Sequence, residues 1–137
     1  MSSRPDWSSA AAPSLDDFAA LADRAYTALP DDFRRLVGDV VFQVADFADE
    51  DVLEELGIED PFELTGLYQG VSLAHRSVLD PSPSAAMVFL YRRPILDYWA
   101  EHDETLGHIV RHVLIHEIGH HFGLSDADME AIEANTG

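Results

Sequence analysis

One stretch limits this chain's fold more than any other: HVLIHEIGHHFGLSD, residues 112–126. It packs five side chains of metal-ligand type, His112, His116, Glu117, His120 and His121, into ten positions. It then meets a glycine, Gly123, with Asp126 three residues beyond. His108, His112, His116 and His120 recur every four residues, which implies a long helix over about residues 101–122. On a helix each such step advances about 6 Å and turns the side chain by about 40°. Any neighbouring pair along the stripe could grip one ion, so spacing alone does not choose among three pairs.

Glu117 makes the choice. Only His116 is followed directly by glutamate, giving His-Glu-x-x-His with His120. Both imidazoles can reach one metal, and Glu117 lies on the adjacent turn of the same face. That arrangement suits a general base beside a metal-bound water. Gly123 can adopt positive φ and end the helix in a left-handed cap. The chain can then turn back and aim Asp126 at the same ion. Two histidines and a carboxylate leave the fourth position of tetrahedral zinc open. Asp126 has a second reading, because Ser125 and Asp128 have the spacing of a capping box for a last helix over about residues 126–134. Asp126 would then be a first-turn acid favoured by the helix dipole. The two roles are compatible, and Asp128 and Glu130 are the alternative third ligands.

Composition narrows the partners. The 137 residues suggest a single domain that needs no covalent staple. There is no cysteine, so disulfides and thiolate zinc sites are excluded and any metal must be held by His, Asp or Glu. For two histidines and one carboxylate the expected ion is Zn2+, one per chain. The formal net charge is −18, and all eight basic residues are arginine. Such a surface repels phosphate, so nucleic acid and anionic membranes are poor partners. No stretch approaches the roughly 20 apolar residues of a membrane span. The opening MSSRPDWSSAAAPS has no apolar core of a signal peptide. Residues 1–13 are expected to be a disordered tail, residues 14–137 a single domain, and the protein cytoplasmic.

Along the chain, Ser14 and Asp17 can cap a helix that ends before Pro30, and residues 31–37 suggest a short second helix. VVFQV at 40–44 alternates with period two, placing Val40, Phe42 and Val44 on one face of a strand. Residues 46–60 hold eight acids without the spacing of a calcium loop, and read as a solvated helix or loop. Residues 64–73 suggest strand and turn. AAMVFLY at 85–91 is a continuous apolar run, either a central strand or a strand lining a cleft to which an extended peptide could add. Pro94 can start a short helix through Trp99. Strands in the middle with helices at both ends imply an α+β fold.

His-Glu-x-x-His-x-x-Gly-x-x-Asp is a zincin pattern with aspartate at the final ligand. Together with GLYQGVSL and Arg76, MVFLYRRPIL and VRHVLIHEIGHHFGLSD, it resembles a family of small bacterial zincin-like metallopeptidases, the minimal metalloproteases. The likeness runs from about residue 29 to 133. It implies a stripped-down zincin fold: a small mixed sheet packed with an active-site helix and flanking helices. It also implies zinc bound by His116, His120 and Asp126, with Glu117 as the catalytic carboxylate. Larger metzincins carry a methionine turn downstream of the metal motif, whereas Met129 falls inside the last helix here, so the floor of the site must be built differently. The expected function is zinc-dependent hydrolysis of a peptide or protein substrate. The alternative is a metal-binding protein of the same fold that holds a peptide or partner without turnover. His121, Tyr68, Tyr91 and Arg92 are unranked candidates for a donor to the oxyanion, and His112 for a supporting role.

Overall fold

The computed structural model describes residues 6–69 and 86–135. Their architecture is α+β: six helices around a three-stranded mixed sheet. α1 (Leu15–Thr27) and α2 (Asp31–Val37) lead into β1 (Val40–Ala45). α3 (Glu50–Leu56) and a 3-10 turn (Pro61–Glu63) precede β2 (Gly66–Gln69). β3 (Ala86–Tyr91) runs directly into α4 (Arg92–Glu101), followed by α5 (Leu106–His121) and α6 (Asp126–Asn135). Arg76 and the remainder of the strand-and-turn segment expected at 64–73 lie outside the described residues from position 70 onward.

The sheet order is β1-β3-β2, with β1 parallel and β2 antiparallel to β3. The 85–91 run is therefore the central strand of the three, and its backbone is paired on both sides. That settles its two readings: an extended peptide cannot add along it, and β1 and β2 are the edges among the described strands. A strand covered on both faces reads as an unbroken apolar run, which explains its sequence. Val88 and Leu90 enter the main core, while Phe89 and Tyr91 pack toward Ala48 and Leu53 on the α3 side.

α5 forms the centre of the main core. Ile109, Val110, Val113, Leu114, Ile115 and Ile118 are buried, against Phe18 and Ala22 of α1, Ile95 of α4 and Met129 of α6. Val40, Phe42 and Val44 pack against this core from one face of β1, as their alternation requires. The helix starts later than its spacing suggests. His102 is extended, and Thr105 caps α5 by accepting from the His108 backbone N–H at 3.2 Å. Residues 102–105 thus separate two helices. α4 begins earlier than Pro94, at Arg92, which leaves Pro94 in the first turn, where a missing N–H costs nothing.

Candidate metal centre

The end of α5 is built to turn the chain. Gly123 has φ +74, a conformation that costs other residues about 1–2 kcal/mol. Its N–H donates to the His120 carbonyl at 3.1 Å, and the Leu124 N–H donates to the Gly119 carbonyl at 2.9 Å. This pair of bonds is a Schellman cap. Ser125 then caps α6: its Oγ accepts from the Asp128 N–H at 3.1 Å, and the Asp128 carboxylate accepts from the Ser125 N–H at 3.2 Å. Asp128 thus spends one carboxylate oxygen on the cap. α6 folds back onto α5 so closely that a Cβ on Gly119 would lie 2.5 Å from the Met129 sulfur. Met129, fully buried, is the floor beneath the His-Glu-x-x-His turn.

His116 and His120 share the stripe. Their rings meet edge-on with centroids 5.9 Å apart. Two imidazoles ligating one zinc at about 2.0–2.1 Å would hold their centroids roughly 5–6 Å apart. The His116 Nε2 atom is buried and has no hydrogen-bond partner. Burial is the main cause of a lowered His116 pKa, with His112 and His120 adding to it, so the ring favours the neutral form that ligates metal. An orphaned buried acceptor beside a second imidazole is what a metal would satisfy. The residues present fit a zinc-type ion.

Glu117 lies against the sheet and near enough to His120 for the two charges to interact. Its Cγ would lie 3.5 Å from a Cβ on Gly66, so β2 passes directly over it. Burial raises its pKa above the ordinary value of 4.5, and His120 opposes that rise. Asp126 sits exposed in the first turn of α6. It is not drawn together with His116 and His120 into one tight set. Among the described residues, the donors that lie within 4.8 Å of one another belong instead to His112, His116 and Glu133. Glu133, from α6, escaped the sequence reading. It lies seven residues after Asp126, on the same helical face, but only the packing of α6 on α5 brings it to the stripe.

The four unranked donors separate. Arg92 is held by Asp46 at 3.0 Å and by the Pro13 carbonyl. Tyr91 is buried in the α3-side cluster, and His121 packs tilted on Tyr68 with centroids 4.2 Å apart. Beside His112 and Val113 opens a cavity of about 230 Å³, also lined by Thr65, Tyr98, Glu104 and Ile109.

A family model described as zincin-like metallopeptidase matches residues 37–136, from the end of α2 through α6. No curated protein matches the chain. Among the described residues, no helix is long and apolar enough to cross a membrane.

Proposed function

Since the chain belongs to the zincin-like metallopeptidase family, we propose that it is a zinc-dependent peptidase whose ion is held by His116, His120 and Asp126 and whose general base is Glu117. The observation that carries this reading is the pairing of two features on one helical turn. His116 offers a buried, unpartnered Nε2 next to His120, and Glu117 offers a carboxylate whose proton affinity burial has raised.

Zinc, when bound there, supplies a Lewis acid that acidifies water and polarises a carbonyl. Glu117 takes the proton from the attacking water and passes it to the amine as the C–N bond breaks. A base with raised proton affinity is better matched to both transfers near neutral pH. Neutral His116 keeps its Nε2 lone pair free for the ion. The substrate is a peptide or protein segment. An extended peptide can add to β2, the edge strand of the described sheet that lies over Glu117, and so run past Glu117 at Gly66. The cavity beside His112 gives a substrate side chain a recess next to the stripe.

The test is Glu117→Gln. The variant should keep its zinc and lose peptide hydrolysis by about 10²–10⁴-fold, the usual contribution of a positioned base. Equal turnover in the variant would remove Glu117 from the mechanism. A second reading, metal and peptide binding without turnover, draws support from Glu133, a carboxylate able to occupy the position that a catalytic zinc leaves open. Wild-type protein that holds zinc but cleaves nothing in a mixed peptide library, with or without chelator, would favour it.

A further inference from the structure

α6 returns along α5 in the opposite direction. Met129 faces Gly119, and one turn later Glu133 faces His116 and His112. Asp126 and Glu133 are seven residues apart, about 10.5 Å of helix, and His120 and His112 are eight apart, about 12 Å. The two helices therefore present matched ladders. Glu133 stands by His112 and His116, and Asp126 lies seven residues earlier on the same face of α6.

At the Glu133 end the donors are already assembled. Glu133 Oε1 lies 2.6 Å from His112 Nδ1 and 3.7 Å from His116 Nε2. Donors around a tetrahedral zinc stand roughly 3.3 Å apart, given bonds of about 2.0–2.1 Å, so small side-chain shifts would admit an ion. His116 Nε2 is buried with no hydrogen-bond partner, and the buried Glu133 Oε1 beside it is engaged only by His112 Nδ1. A cation among the three would satisfy the His116 nitrogen that the ion pair leaves out.

We propose that the protein has a second cation seat, formed by His112, His116 and Glu133, that overlaps the His116–His120–Asp126 seat through His116. The inference rests on the proposed function only for the identity of that other seat. Its ligand class is a divalent transition ion of the zinc type, since two imidazoles with one carboxylate form a zinc-type donor set. One Nε2 atom binds one ion, so the two seats exclude each other. An ion in the second seat is retained by the protein one helical turn away from His120, beside the cavity at His112.

The experiment is metal binding, read as ion content after zinc loading and dialysis and as the visible absorption of the Co(II) form. The proteins are wild type, His120→Ala, and His120→Ala combined with Glu133→Gln, each with a metal-free melting curve. Should that double variant fail to fold, His120→Ala with His112→Gln takes its place. His120→Ala is expected to keep about one ion per chain, held more weakly and with a shifted Co(II) spectrum, and the double variant to hold none. An ion lost already in His120→Ala, with wild type loaded, would overturn the second seat and leave the His-Glu-x-x-His site standing. Equal retention in single and double variants would make Glu133 a plain ion-pair partner of His112, and also overturns it. Wild type that binds no ion would end both readings.

Discussion

Glu117 is a carboxyl group kept partly out of water, and that has a thermodynamic signature separate from catalysis. Its pKa is raised in the folded chain, chiefly by burial, above an unfolded value near 4.5. Between those two values the folded state binds more protons than the unfolded one, so stability falls as pH rises through that window. Above the window the cost of the buried charge is fully present. In the metal-free protein, Glu117→Gln removes that cost while keeping the side chain's size. The variant should melt higher than wild type at pH 7–8, and the gap should close as pH falls below the ordinary carboxylate range. Calorimetry across pH 4–8 checks this. A gap that stays constant with pH would show that the carboxyl is not desolvated in solution.

The pairing of β2 with α5 depends on a missing side chain. A Cβ on Gly66 would meet Val113 Cγ1 at 2.7 Å and the Phe89 carbonyl oxygen at 3.1 Å. Val113 has one preferred rotamer in a helix and cannot swing away, and the carbonyl belongs to the central strand. Gly66→Ala should therefore lift β2 off the helix and cost about 1–3 kcal/mol, the usual penalty of overpacking, read as a lower denaturant midpoint. An unchanged midpoint would mean that the edge strand moves at no cost. This dependence could not be read from the sequence, where Gly66 is one glycine within the strand-and-turn segment 64–73. Local chemistry, by contrast, was readable. The Ser14–Asp17 capping box forms with both hydrogen bonds, β1 packs through the residues its alternation selects, and α5 ends at Gly123 in a left-handed cap. The break at 102–105 was hidden because the histidine period of four carries on to His108 and outweighed one threonine cap. Glu133 was hidden because its role comes from α6 packing against α5, and periodicity within one helix is silent on that.

The molecule as a whole carries 26 acidic residues against eight arginines. Several arginines are already committed to local pairs, Arg34 with Asp31, Arg35 with Asp32 and Arg92 with Asp46. The excess negative charge therefore acts as a field over the surface, which opposes compaction and attracts cations. Salt should reveal both effects with opposite signs. The screening length falls from about 30 Å at 0.01 M to about 3 Å at 1 M, so repulsion between carboxylates on neighbouring elements is largely removed across that range. The melting temperature of metal-free protein should rise with sodium chloride. The apparent affinity for Co(II), drawn to the histidine stripe by the same field, should fall over the same range. Melting curves and metal titrations at matched ionic strengths measure the two trends. A melting temperature indifferent to salt would mean that the acidic side chains are neutralised locally. Metal affinity should then be indifferent as well, because both trends come from a single charge excess.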